Sequence, residues 1–145
     1  MTMTMTPPSS QGTSPRVREF RLTVGPVLTY WTRKDLTAFY ARVADTSADT
    51  VVLGEVICSR RHEMKFDDWL DLAADLQATG KEVVLATMVL VESESDLRQL
   101  RRFADGGKFL VEAGDASALQ ILARARQPFV LGPHVNVYSA EALKV

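Results

Sequence analysis

The chain has 145 residues, of which 46% are hydrophobic, and a formal net charge of −1. This length predicts a single domain with enough apolar material for a core, and the near-neutral charge gives no field that would attract nucleic acid. The single cysteine, Cys58, excludes an internal disulfide and a metal site built only from thiolates of these residues.

The first residues are rich in threonine and proline and contain no acidic side chain. Such a segment cannot bury enough apolar surface to offset its chain entropy. We therefore expect residues 1–18 to form a disordered leader and residues 19–145 to form one domain. No secretory leader and no apolar run long enough for a membrane span is expected, so a reducing, cytoplasmic setting fits.

Alternation of apolar and polar residues predicts a first strand over residues 20–24, which Gly25 ends. Thr32 and Asp35 have the spacing of a capping box and precede a helical stripe. This stripe comprises Leu36, Phe39, Tyr40 and Val43.

The same strand and helix pattern then recurs along the chain. Further strands are predicted over residues 50–53, 82–89, 108–112 and 128–131. Apolar stripes predict the helices between them: Phe66, Trp69, Leu70 and Ala73; Leu97, Leu100 and Ala104; Leu119, Leu122 and Ala123. Predicted N-caps are Ser93, paired with Asp96, then Asp115, and Ser139 before a fifth helix that begins at Ala140.

This rhythm predicts an α/β fold of parallel (β/α) repeats. An open doubly wound sheet and an eight-unit barrel both have it. The sequence stops within the first turn of its last predicted helix, without a stop signal. We therefore expect the N-terminal part of a TIM-type barrel, incomplete and with about five strands.

Functional side chains of such folds collect at the carboxyl ends of the strands. The candidates at these positions are Gly25, Glu55, Cys58, Arg60, Arg61, Thr87, Glu112, His134 and Asn136. Cys58 lies near two arginines, and positive charge favours the thiolate. It could be a buried hydrophobe, a metal ligand or a nucleophile, and the pattern alone does not decide between them.

The neighbours of Cys58 allow similar alternatives. Glu55 could be a general base or an ion-pair partner of Arg60 or Arg61, and these arginines could instead clamp a carboxylate or a phosphate. His134 and Asn136 follow a Gly-Pro turn, where local hydrogen bonds are favoured over a catalytic role. The sequence has none of the Walker, GxGxxG, CxxC, HExxH or GxSxG motifs, which removes support for several enzyme classes.

Four blocks, residues 22–31, 48–61, 109–115 and 129–138, resemble the collagenase-like peptidase family in order and spacing. The resemblance runs from residue 22 to the end and corresponds to about the first half of a family chain. It implies a TIM-type barrel that carries a 4Fe-4S cluster on about four cysteines, with Cys58 at the position of the first ligand.

The branch of the family that these blocks resemble supports oxygen-independent hydroxylation in ubiquinone biosynthesis. The resemblance therefore implies a heterodimer with a UbiU-like protein, prephenate as the oxygen donor, and a hydroxylation subunit rather than a working protease. Glu55, Arg60, Arg61, His134 and Asn136 are the candidate substrate-binding residues.

The chain departs from the family pattern because its only cysteine is Cys58. One thiolate cannot hold a four-iron cluster, so we expect these residues alone to carry none. Two other functions remain open. One is a hydrolase with Cys58 as nucleophile, His134 as base and Glu55 or Asn136 orienting it. The other is a family member that supports RNA hydroxylation.

Overall fold

The computed structural model describes residues 20–144. The expected leader, residues 1–18, lies outside the described residues. The strands are β1 (Thr23–Val24), β2 (Thr50–Leu53), β3 (Glu82–Ala86), β4 (Leu110–Ala113) and β5 (Phe129–Leu131). The helices are α1 (Arg33–Ala44), α2 (Phe66–Ala78), α3 (Glu94–Gly106) and α4 (Ala116–Arg124). Short 3-10 turns follow at Pro133–Val135 and Ala142–Lys144.

Three of the four helices begin at the caps that the sequence predicts. The side chain of Thr32 accepts a hydrogen bond from the Asp35 amide, and that of Asp115 accepts one from the Ala118 amide. Ser93 and Asp96 form a reciprocal capping box at the start of α3. These side chains satisfy amides that lack an intrahelical partner, which fixes where each helix starts.

All five strands are parallel and form one sheet in the order β1-β2-β3-β4-β5. A doubly wound sheet reverses direction at a switch point, whereas this order follows the chain without a reversal, as it does in a barrel. The fold is therefore α/β and singly wound. Within residues 20–144, β1 pairs only with β2 and β5 only with β4, so both edges of the sheet are open.

One face of the sheet is covered by the helices. Val51 and Leu53 of β2 pack with α1 and α2 around Tyr40 and Trp69. Val111 of β4 packs with α3 and α4 in a second cluster on the same face. Aromatic contacts extend the first cluster, since Tyr40 meets Trp69 edge to face at 6.3 Å between ring centroids.

The opposite face of β2 and β3 is covered by their own loops. Val52 and Val84 lie side by side on this face, and the loop residues Val56 and Val89 pack against them. The Val89 amide donates a hydrogen bond of 2.9 Å to the Val56 carbonyl, which joins the loops that follow β2 and β3. The two loops therefore form one layer at the carboxyl end of the sheet.

Some predicted details differ from the structure. The third strand ends at Ala86 rather than at residue 89, because Thr87 turns its side chain toward β4. Ala123 is exposed, and Ala118 takes its place in the core beside Leu122. After Ser139, whose hydroxyl accepts from the Ala142 amide, the described residues form a 3-10 turn instead of an α-helix. Every helix in residues 20–144 is too short or too polar to span a bilayer.

Candidate functional site

The loop between β2 and α2 begins at Gly54, at the carboxyl end of the sheet. Gly54 has φ of 147°, a value that L side chains rarely adopt. A Cβ atom at this position would lie 2.5 Å from the Ala86 carbonyl oxygen of β3. Only glycine therefore lets β2 turn this close to its neighbour and direct residues 55–61 across the end of the sheet.

Glu55 organises this loop through a single carboxylate oxygen. Its Oε1 accepts hydrogen bonds from the Ile57 amide at 3.1 Å and the Cys58 amide at 3.2 Å. Arg61 Nη1 lies 3.5 Å from the same oxygen. The ion pair expected between Glu55 and a neighbouring arginine is thus present, with Arg61 as the partner. Its three contacts make Glu55 a brace for the Cys58 backbone.

Arg61 also connects this loop to the preceding one. Its Nη1 donates a hydrogen bond of 3.0 Å to the Leu28 carbonyl in the loop after β1. Close by, Tyr30 donates a hydrogen bond of 2.7 Å to Glu63, whose second oxygen accepts from the Arg33 amide. The bond from Tyr30, followed by that from Arg33, holds the pKa of Glu63 below its ordinary value. These contacts fix the loops after β1 and β2 to each other.

Cys58 lies in the middle of this braced loop and its side chain is half-buried. Position and partial exposure leave the thiol accessible for ligation or reaction at the end of the sheet. Arg60 follows in an exposed turn and makes no hydrogen bond or ion pair with another described residue. The structure therefore groups Glu55, Cys58 and Arg61, and it leaves Arg60 free to turn toward a ligand.

His134 and Asn136 belong to a different part of the sheet. They follow β5, which is separated from β2 by β3 and β4, a span of roughly 14 Å at ordinary strand spacing. Asn136 donates to the His134 carbonyl at 3.0 Å and accepts from the Tyr138 hydroxyl at 3.0 Å. The structure therefore does not bring Cys58 together with His134 as a nucleophile and its base would require.

Glu112 of β4 is close enough to His134 for the charge of the imidazole to act on its carboxyl group. Burial raises the pKa of this carboxyl above its ordinary value, and the nearby charge of His134 opposes the rise. Glu112 also lies against Gly132, where a Cβ atom would approach its side chain to 3.1 Å. Glu112 and His134 thus lie near each other at the ends of β4 and β5, without a hydrogen bond or an ion pair between them.

Thr87 has a role within the scaffold. It is 2% exposed, and its hydroxyl oxygen accepts a hydrogen bond of 2.8 Å from the Gly114 amide. This bond joins the carboxyl ends of β3 and β4. It occupies the Thr87 hydroxyl, the group that made Thr87 a candidate site residue. Gly25, the candidate after β1, is exposed and has no close neighbour where a Cβ would stand.

Sequence reasoning missed a basic groove beside the Cys58 loop, between α2 and α3. The cationic residues that line it include Lys65 before α2 and Arg98 and Arg102 on α3. The spacing of Arg98 and Arg102, four residues apart, was an available signal, because it places both side chains on the same face of a helix. Nothing in the sequence indicates that Lys65 joins them.

A complete iron–sulfur site does not fit the residues present. Among residues 20–144, no three Cys, His, Asp or Glu side chains are grouped as a metal ion would require. The only thiolate donor in the sequence is Cys58, whereas a four-iron cluster takes about four protein ligands. Cys58 can supply one ligand, from a loop at the carboxyl end of the sheet.

Comparison with known proteins found no family model that matches the chain and no solved structure that matches it. The resemblance to the collagenase-like peptidase family therefore depends on the four sequence blocks alone. What the geometry itself provides is a braced, half-buried thiol and a cationic groove at the same end of a singly wound parallel sheet.

Proposed function

We propose that this chain is part of a UbiV-like iron–sulfur subunit that supports oxygen-independent hydroxylation in ubiquinone biosynthesis. In this proposal Cys58 is one ligand of a 4Fe-4S cluster, and a UbiU-like protein is the partner in a heterodimer. Prephenate is the proposed oxygen donor. The chain acts as a subunit of a hydroxylation system and has no protease activity.

The observation that carries the proposal is the position of Cys58. The resemblance of the four blocks to the family implies a cluster ligand at this residue, and the loop lies at the carboxyl end of a singly wound parallel sheet. Barrels of this type collect their functional groups at that end. A half-buried thiol in a braced loop suits a ligand, because the loop needs little reordering when a metal binds.

The remaining ligands would come from outside these 145 residues, since no second cysteine is available within them. The cluster, when bound, would supply one-electron chemistry. The chain itself holds the Cys58 amide on the Glu55 carboxylate and ties the loop to Leu28 through Arg61. Its contribution is therefore to fix the direction from which the thiolate approaches the iron.

The test uses the protein from its complete reading frame, co-expressed with a UbiU-like partner and purified without oxygen. We expect iron and acid-labile sulfide in the complex and a clear loss of both in Cys58→Ser. Gln120→Ala, a change at an exposed position of α4, serves as the control and should retain the wild-type iron content. Anaerobic ubiquinone formation in cells should follow the iron content.

Two results would overturn the proposal. One is a complex whose iron content is the same in Cys58→Ser as in the wild type. The other is normal anaerobic ubiquinone formation in cells that carry only the Cys58→Ser protein. Labelling by a thiol-directed peptidase probe, combined with absence of iron, would instead favour a hydrolase with Cys58 as nucleophile.

A further inference from the structure

A groove runs between α2 and α3 at the carboxyl end of the sheet, beside the Cys58 loop. Its volume is about 520 Å³. Trp69 and Met88 contribute apolar surface, and Lys65 and Arg98 contribute charge from the two helices. The groove thus combines an apolar surface with basic side chains, which is the composition of a site for a small organic anion.

The charges that line the groove do not cancel. Glu55 is the only carboxylate among the lining residues, and Arg61 pairs with it. Arg102 pairs with Asp67 outside the groove. Arg98, by contrast, has no ion pair with an acidic side chain within residues 20–144, and Lys65 has none either, although its charge acts on Asp68. The Arg98 guanidinium therefore remains available to a ligand, and the Lys65 ammonium is compensated only through Asp68, which also binds Arg33.

The acidic residues at the starts of α2 and α3 do not fill this role. Asp68 binds Arg33 through both carboxylate oxygens at 2.7 Å. Glu94 pairs with Arg101, and Asp96 accepts from the Ser93 amide within its capping box. Asp68 therefore divides its charge between Arg33 and Lys65, and none of these carboxylates forms an ion pair with Arg98.

The backbone adds to the same field. Both α2 and α3 begin at this end of the sheet, so the positive ends of their dipoles flank the groove. Ser95 lines the groove as well, and its hydroxyl can donate a hydrogen bond to an oxyanion, whereas the Ser59 hydroxyl is directed to Asp96. Side chains and backbone therefore favour the same sign of ligand charge.

We propose that the groove between α2 and α3 binds a small molecule with an apolar body and a carboxylate or phosphate group. Arg98 and Lys65 bind the oxyanion, and the apolar body packs on Trp69 and Met88. The inference depends on the charge and shape of the groove alone. It holds whether or not Cys58 ligates a cluster.

The test titrates the full ¹⁵N-labelled chain with four probes: phenyl phosphate, benzoate, inorganic phosphate and neutral benzamide. We expect saturable shifts of the Lys65 and Arg98 amides and of the Trp69 indole with the aromatic anions. Weaker binding of inorganic phosphate would show the contribution of the apolar surface. The ratio of phenyl phosphate to benzoate affinity distinguishes a phosphate ligand from a carboxylate ligand.

Variants then test the named residues. Arg98→Ala and Lys65→Ala should each weaken binding about tenfold, the effect of losing one charge-assisted hydrogen bond. Arg98→Lys should weaken it less because the charge remains. Arg124→Ala, which removes an exposed arginine on α4, is the matched control and should leave the affinity unchanged, with spectral dispersion confirming that every variant is folded.

The inference is wrong if no probe gives saturable shifts at the groove. It is equally wrong if benzamide binds as tightly as benzoate, because the charge would then contribute nothing. Equal losses in Arg98→Ala and Arg124→Ala would assign the effect to net charge and would also overturn it.

Discussion

The amide of Gly114 donates a hydrogen bond of 2.8 Å to Oγ1 of Thr87, so the end of β4 is fastened to the end of β3. The approach is close. A Cβ atom on Gly114 would lie 2.5 Å from the Met88 carbonyl oxygen, and Thr87 is almost completely buried. The Thr87 hydroxyl and the absence of a side chain at Gly114 thus set the distance between the ends of β3 and β4.

Replacing the Thr87 hydroxyl tests the contribution of this hydrogen bond to stability. Thr87→Val keeps the shape of the side chain and leaves the Gly114 amide buried without an acceptor. We expect the free energy of unfolding to fall by about 1–3 kcal/mol, the cost of such an unsatisfied group. Urea unfolding measures the change. Thr87→Ser retains the hydroxyl, so its free energy of unfolding should fall less. An equal decrease in both variants would contradict the role of the hydrogen bond.

Gly54 should tolerate no side chain. Gly54→Ala places a Cβ atom 2.5 Å from the Ala86 carbonyl at a φ of 147°. We expect a loss of roughly 1–3 kcal/mol from backbone strain alone. Gly106→Ala is the matched control, because Gly106 lies in the last turn of α3 with nothing within 4 Å of the new atom. The unfolding midpoint of Gly106→Ala should be unchanged or higher. Equal midpoints for the two variants would contradict the steric requirement for glycine at position 54.

The contacts of Glu55 should limit local opening of the Cys58 loop. Glu55→Ala removes the acceptor for the Ile57 and Cys58 amides and frees Arg61. Loss of hydrogen bonds to a charged group should speed hydrogen exchange at these two amides by about tenfold. Glu55→Gln keeps a carbonyl oxygen and should change exchange less. Unaltered rates in Glu55→Ala would show that the loop is held by other contacts.

The ion pair between Arg33 and Asp68 predicts sensitivity to acid. Hydrogen bonding by Arg33 lowers the pKa of Asp68 below its ordinary value of 3.8. A lowered pKa in the folded state gives stability that is complete above the ordinary value and lost as pH falls through the folded pKa. Arg33→Ala should therefore unfold at lower urea than wild type at pH 6, and the gap should narrow below pH 3.8.

The control for this prediction is Lys34→Ala, an exposed neighbour at the start of α1. It should leave the urea midpoint and its pH dependence as they are in the wild type. If the difference in urea midpoint between Arg33→Ala and wild type stays constant from pH 6 to below pH 3.8, Asp68 is not the group responsible.

Glu112 predicts the opposite pH dependence. Burial raises its pKa above the ordinary value of 4.5, so its unfavourable contribution appears as pH rises through the folded pKa. Glu112→Gln should therefore raise the urea midpoint at pH 7 and have little effect below pH 4.5. His134→Ala should raise the carboxyl pKa further, measurable by NMR titration. A Glu112→Gln effect that is equal at all pH values would contradict this assignment.

The sequence predicts those parts of the fold that are set locally. Thr32, Ser93 and Asp115 begin helices because each side chain needs only an amide three residues away. The end of β3 could not be predicted in the same way. Val89 looks like a strand residue, but the bond from Gly114 to Thr87 and the contact with Val56 draw the chain out of the sheet.

The same division holds for the candidate site. The pair of Glu55 and Arg61 was predictable because one short loop contains both residues. The groove was not, since Lys65 and Arg98 belong to different elements and meet only when α2 and α3 pack side by side. The separation of Cys58 from His134 likewise follows from strand order, which sequence periodicity does not specify.

The glycines at the ends of β2, β4 and β5 carry a practical lesson for redesign. At Gly54, Gly114 and Gly132 a new Cβ atom would meet the backbone of a neighbouring strand end within 2.8 Å. Grafted binding groups therefore belong at exposed positions that follow these glycines, such as 57, 116 and 133. A mutational library that varies those three positions and keeps the glycines should yield many more folded members than a library that varies the three glycines.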